Sequence, residues 1–107
     1  MPITKPVALI TGGAKGIGRA IAHHLLSSKW QVGVIDLPDS GVRRAFSRQR
    51  GVLVIEGDVR DEETASDAVD AMVHRFRRLD AVVSNAGIMI RKFGIGRYCG
   101  TLMKTMT

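Results

Sequence analysis

Residues 7–18 constrain the fold of this chain more than any other stretch. Val7-Ala8-Leu9-Ile10 is a short continuous apolar run, the pattern of a strand covered on both faces. It leads without a spacer into Thr11-Gly12-Gly13-Ala14-Lys15-Gly16-Ile17-Gly18. Ile17, Ala20, Ile21 and Leu25 then recur at helical spacing, which predicts a helix from about Gly16 to Lys29. A buried strand that turns through glycines straight into a helix is the opening of a β-α unit, and a sheet needs further strands from the rest of the chain.

The residues up to about 90 supply them. Val32-Gly33-Val34-Ile35 reads as a second strand, and the polar turn Pro38-Asp39-Ser40 comes after it. Val42, Ala45, Phe46 and Gln49 mark a short helix whose outer face carries Arg43, Arg44, Arg48 and Arg50. Val52-Leu53-Val54-Ile55 is the third strand. Asp61 is placed to cap the next helix, with Glu62 and Glu63 in the first turn, where the helix dipole favours acids. Ala65, Ala68, Val69, Met72, Val73 and Phe76 form the clearest helical stripe, with Arg75, Arg77 and Arg78 near its end. Ala81-Val82-Val83 is the fourth strand. Strands alternating with helices imply an α/β fold, a doubly wound parallel sheet with helices on both faces. Right-handed crossovers that change direction after the third strand give the order 3-2-1-4.

The glycine loop is where this architecture meets chemistry. A glycine-rich turn between strand and helix lets the backbone come close to a pyrophosphate, and it aims the free N–H groups of the helix start at the anion. Gly12, Gly16, Ile17 and Gly18 are the candidate residues for that role. Asp36 ends the second strand eighteen residues beyond Gly18, followed by Leu37. An acid there accepts hydrogen bonds from adenosine ribose hydroxyls and repels a 2′-phosphate, which favours NAD over NADP. Lys15, a cation in the loop, pulls the other way, but the Asp36 carboxylate would meet the ribose directly and carries more weight.

Thr11-Gly12-x-x-x-Gly16-Ile17-Gly18, Asp58-Val59 after the third strand and Asn85-Ala86-Gly87 after the fourth together resemble the short-chain dehydrogenase/reductase family, over residues 5 to about 92. The resemblance implies a partial Rossmann fold of four strands, a nicotinamide dinucleotide as cofactor and hydride transfer between NAD and an alcohol or carbonyl. It implies that Asp58 bonds the adenine amine while Val59 packs on the ring. It also implies that Asn85, Ala86 and Gly87 support the sheet beside the cofactor. Ser84 stands where a second asparagine is common.

The family's chemistry uses a serine and a Tyr-x-x-x-Lys pair, in which the lysine lowers the pKa of the tyrosine acid/base. The single tyrosine here is Tyr98, and Leu102 stands where the lysine belongs. No catalytic residue is assigned, and the expectation is a dinucleotide-binding half, truncated and catalytically incomplete alone. The alternative is a noncatalytic nucleotide-binding or self-associating interaction module.

Residues 1–90 thus read as the binding half-domain and 91–107 as an atypical basic tail, with three glycines, no acid and no period of 2 or 3.6. Its abrupt change of character suggests a frameshift, an alternative exon or a truncation. A half-sheet of this kind would leave the fourth strand as an open edge, so a homo-oligomer is expected, through that strand or the tail. The formal net charge is +6, yet the basic clusters lack interleaved aromatics or a recognition motif, so nucleic acid is not an expected partner. No apolar run approaches the roughly 20 residues of a membrane span, and the N-terminus has no signal-peptide pattern; a cytoplasmic location is expected. Cys99 has no second thiol to pair with, and the adjacent His23 and His24 point in different directions on a helix, so no metal site is expected. Trp30 reads as a packing residue at the helix end.

Overall fold

The structure, a computed structural model, describes residues 5–84 together with the strand 87–90. The order of elements is β1 (Val7–Thr11), α1 (Gly16–Ser27), β2 (Gln31–Asp36), α2 (Val42–Ala45), β3 (Val52–Glu56), α3 (Glu62–Phe76), β4 (Ala81–Ser84) and β5 (Gly87–Ile90). β1 to β4 are parallel and lie in the order β3-β2-β1-β4, as the alternating pattern predicts. β1 sits at the centre, and all five of its residues are buried. Its register, Leu9 opposite both Gly33 and Val82, brings the C-terminal ends of β1 and β2 level.

Two apolar layers hold the helices to the sheet. α3 covers one face, with Ala65, Ala68, Val69, Met72 and Phe76 buried against Val7, Leu9, Ile35 and Val82. α1 and α2 cover the other, where Ala22, Val42 and Phe46 pack with Ile10, Val32 and Val34. Trp30 is packed against this second layer, and His23 stacks on Phe46 with ring centroids 5.1 Å apart.

The helix ends follow local chemistry. Asp61 caps α3, its carboxylate accepting from the Glu63 N–H at 3.1 Å and the Thr64 hydroxyl at 3.1 Å. Arg77 ends the helix in the left-handed region at φ 68°, its N–H bonding the Val73 carbonyl. Two helices are shorter than their periods suggest. α1 ends at Ser27 because Lys29 turns left-handed at φ 69°. α2 ends at Ala45, the chain continuing as turn while Phe46 stays buried. The apolar stripe of α1 is only partly the expected one: Ile21 and Leu25 pack against the second layer. Gly18 and Ala22 are its buried residues, whereas Ile17 is 80% exposed and Ala20 lies in solvent. Small residues at the contact let this helix approach the sheet closely.

The outer edge of β4 differs from expectation. It is not open: β5 runs antiparallel along it, pairing Ser84 with Gly87 and Ala81 with Ile90. Only two residues separate the two strands in sequence, enough for antiparallel neighbours, whereas a parallel neighbour needs a crossover. Among the described residues the sheet therefore has five strands, with β3 and β5 at its edges. β3 is only half-buried, unlike the runs of β1 and β2. The tail 91–107 lies outside the described residues. Among the described residues no helix is long and apolar enough to cross a membrane.

At the opposite end of the sheet from the glycine loop, Asp80 ties β4 to β1. Its carboxylate accepts from the Val7 N–H at 2.8 Å and is forked by Arg78 at 2.8 and 2.7 Å. The Arg78 hydrogen bonds, helped by the Val7 N–H and opposed by partial burial, hold the Asp80 carboxyl below its ordinary value of 3.8. A carboxylate lowered on folding stabilises the native state fully above its unfolded pKa and loses that contribution as pH falls through the folded one. Asp80→Asn is therefore expected to cost about 1 kcal/mol at pH 7, with the gap in melting temperature to the wild type closing below roughly pH 4. Thermal melts of both proteins from pH 7 to pH 3 check this; a gap that stays constant into acid would show that ionisation of Asp80 is not what matters.

Candidate cofactor site

The C-terminal ends of β1, β2 and β3 open into a cleft of about 270 Å³. Thr11 and Gly12 line it from β1 and the glycine loop, Ile35, Asp36 and Leu37 from β2, and Gly57, Asp58, Val59 and Arg60 from the segment after β3. Parallel strands place their carboxyl ends on one side of the sheet, so residues far apart in sequence converge there; ligands of open α/β sheets bind at this side.

The loop is built by glycine conformations and pinned by backbone bonds. Gly12 and Gly16 take φ 65° and 60°, which side-chain-bearing residues rarely adopt. The Gly12 N–H bonds the Ile35 carbonyl at 2.9 Å, and the Thr11 hydroxyl reaches the Val83 carbonyl at 3.4 Å. Gly18 permits a close helix-to-loop approach, since a Cβ there would lie 2.4 Å from the Gly12 carbonyl oxygen. The N-termini of α1 and α3 contrast. α3 has the Asp61 cap and two acids in its first turn; α1 has no side-chain cap and no acid. The first-turn N–H groups of α1, at Gly16, Ile17 and Gly18, are thus left for an anion at the positive end of the helix.

Asp36 stands where loop and strand meet. One carboxylate oxygen accepts from the Ala14 N–H at 2.9 Å and the other from the Leu37 N–H at 2.8 Å. A carboxylate offers about four acceptor positions, so each oxygen keeps room for a further donor such as a hydroxyl. The Ala14 bond also makes Asp36 an anchor of the glycine loop, a second role that sequence reasoning does not anticipate.

Asp58 is engaged differently. It lies beside Leu37 because the Gly57 N–H extends the β2–β3 ladder to the Asp36 carbonyl at 2.9 Å. One carboxylate oxygen accepts from the Arg60 backbone N–H at 2.9 Å and Nε at 3.1 Å, and the other accepts from Nη2 at 2.8 Å and Nε at 3.2 Å. The Arg60 side chain, then its backbone N–H, hold the Asp58 carboxyl at about 2, below the ordinary 3.8. Arg60 is not among the expected site residues, and only its place two residues after Asp58, within reach of a local turn, could flag it.

The structure therefore brings Gly12, Asp36, Leu37, Asp58 and Val59 into one cleft. Gly16, Ile17 and Gly18 stand beside it at the start of α1. Asn85 and Ala86 lie outside the described residues, and Gly87 belongs to β5, opposite Ser84. Leu37 is 41% exposed at the cleft rim and Ile17 more so on the loop side, an apolar edge suited to a flat ring.

A doubly wound sheet with a glycine loop, an uncapped helix start and an acid at the end of β2 defines a dinucleotide-binding α/β protein. Comparison with known proteins narrows this class. The family described as short chain dehydrogenase matches residues 6–99, and the chain belongs to it. L-fucose dehydrogenase of Oryctolagus cuniculus is 42% identical over 81 residues, covering 76% of this chain and 28% of the relative. The 3-ketoacyl-(acyl-carrier-protein) reductase of Brucella melitensis, solved with NADH, superposes with a TM-score of 0.69 at 26% identity, over 74% of this chain and 33% of that one. The F189W variant of actinorhodin polyketide ketoreductase, solved with NADPH, gives 0.71 at 32% identity, over 78% and 33%. The chain spans about a third or less of the length of these relatives. The family binds nicotinamide dinucleotides, and the two solved relatives hold one of each kind.

Proposed function

We propose that this chain binds NAD through its adenosine and pyrophosphate moieties, as the dinucleotide-binding part of a short-chain oxidoreductase, and that it does not transfer hydride by itself. NAD, when bound, supplies the hydride acceptor. The chain's own residues bind and orient it. Gly12, Gly16 and Gly18 let the backbone approach the pyrophosphate, the N–H groups at the start of α1 face its charge, and Asp36 takes the ribose. Asp58 and Val59 receive the adenine. The acid/base chemistry of the family has no counterpart in this sequence, where Tyr98 is followed by Leu102 at the lysine position.

The observation that carries the NAD preference is the Asp36 carboxylate at the cleft, with each oxygen accepting one backbone N–H and open to another donor. Two ribose hydroxyls satisfy those positions, whereas a 2′-phosphate would bring a second negative charge against the carboxylate. Lys15 is exposed on the loop, and its ammonium offsets only part of that repulsion in water, where exposed charges interact weakly.

Calorimetric titration of the purified chain with NAD and with NADP tests the reading. The wild type is expected to prefer NAD, and Asp36→Ala to weaken NAD by about tenfold or more, the scale of one lost charge-assisted hydrogen bond. Because Asp36→Ala also unpins Ala14, Asp36→Asn belongs in the same series: its amide oxygen can still accept from the Ala14 N–H while the charge is gone. Asp36→Asn should keep the loop in place and narrow the NAD-over-NADP gap. Equal affinity of the wild type for the two cofactors, or no effect of Asp36→Ala, would sink the proposal.

A further inference from the structure

The two carboxylates of the cleft are not in the same state. Asp36 accepts one N–H on each oxygen, but Asp58 accepts two contacts on each, all four from Arg60. The Nε–H is shared between the two oxygens, so three N–H groups of Arg60 take up most of the about four acceptor positions of the Asp58 carboxylate. The base amine assigned to Asp58 would find its acceptor largely taken up by a residue of the same chain.

We infer that Arg60 is a specificity-determining residue that competes with the base for Asp58, so that the base is admitted only in exchange for the guanidinium contacts. The inference rests on the proposal that this cleft holds an adenine nucleotide. Three observations support the exchange. Arg60 lines the same cleft as Asp58, Val59 and Leu37. Its side chain is 77% exposed, against 37% for Asp58, so the guanidinium can swing into water while the carboxylate stays with the backbone N–H. The displaced contacts form an exposed ion pair, the weak kind that a competing donor can replace.

The exchange also implies discrimination. Adenine presents an exocyclic amine, a donor that takes the place of the Arg60 N–H groups. Hypoxanthine presents a carbonyl there, which gives Asp58 nothing and leaves the pair closed. Removing the guanidinium therefore helps only the amine-bearing base.

The test is calorimetric titration of the full chain with ADP and with inosine diphosphate, for the wild type, Arg60→Ala, Asp58→Asn and the double variant. The readout is the preference for ADP over inosine diphosphate, which cancels any general attraction of Arg60 for the two phosphates. That preference is expected to rise about two- to fivefold in Arg60→Ala, the range of exposed ion pairs. It should not rise when Arg60 is removed from the Asp58→Asn background. An unchanged or reduced preference in Arg60→Ala, or an equal rise in both backgrounds, overturns the inference while leaving the cofactor site standing. Failure of ADP to bind either the wild type or Arg60→Ala removes the adenosine site itself, and the inference with it.

Discussion

Gly18→Ala is expected to lower both stability and NAD affinity, although alanine is the better helix former. In an open helix position the exchange of glycine for alanine gains about 1 kcal/mol. Here the new Cβ would stand 2.4 Å from the Gly12 carbonyl oxygen, 3.1 Å from its carbon and 3.2 Å from the Gly13 Cα. All three are backbone atoms, so no rotamer change relieves the clash. The loop cannot retreat either. Gly12 is bonded to Ile35 and Ala14 to Asp36, and Gly13 already lies so close to Val34 that a Cβ on it would come within 2.2 Å of Cγ1. Helix α1 must therefore move outward from the sheet, against the packing of the fully buried Ala22 one turn on.

Overpacking of this kind costs about 1–3 kcal/mol, which outweighs the propensity gain and sets the sign. The same displacement carries the first-turn N–H groups away from the loop, so NAD affinity should fall by about tenfold or more. Thermal melts and calorimetry on the one variant read both effects. A stabilised Gly18→Ala with unchanged affinity would mean that helix and loop do not touch as described.

That contact also separates what is legible in a sequence from what is not. The glycines are legible as a loop, but the helix phase is legible only in part. Of the expected stripe, Ile21 and Leu25 do pack against the sheet layer, yet the close approach of α1 puts the small residues Gly18 and Ala22 at the interface and turns Ile17 and Ala20 to solvent. α3 obeys its periodicity because its stripe has no glycine, and Asp61 obeys its capping preference because both of its donor partners lie within three residues. The four parallel strands follow from alternation alone, whereas β5 does not: a short apolar segment says nothing about the direction in which it pairs. In the site, Asp36 is legible as the acid ending a strand, but its bond to Ala14 depends on the loop folding back across β2. Arg60 carries no signal beyond its place two residues after Asp58, and an exposed arginine after a turn is common on any surface.

The largest stability effect is expected where β2 and α3 share one volume. A Cβ at Gly33 would lie 2.0 Å from the Met72 sulfur, 2.6 Å from its methyl carbon and 3.3 Å from Leu9 Cδ1. Met72 is fully buried and fills the space that a side chain at position 33 would take. Met72→Ala empties that space and should cost about 2–5 kcal/mol, a large part of the total of about 5–15 kcal/mol that holds a small domain together. Gly33→Ala instead overfills it. The flexible thioether can adjust, but its surroundings are closed, so about 1–3 kcal/mol is expected. The two changes correct each other in combination, because the methyl group introduced by Gly33→Ala occupies part of the cavity left by Met72→Ala. The double variant should therefore be more stable than the sum of the single losses by about 1–2 kcal/mol. Urea denaturation of the wild type, both single variants and the double variant measures this coupling directly. Additive losses would mean that Met72 packs elsewhere and that glycine at position 33 answers to some demand other than the approach of α3.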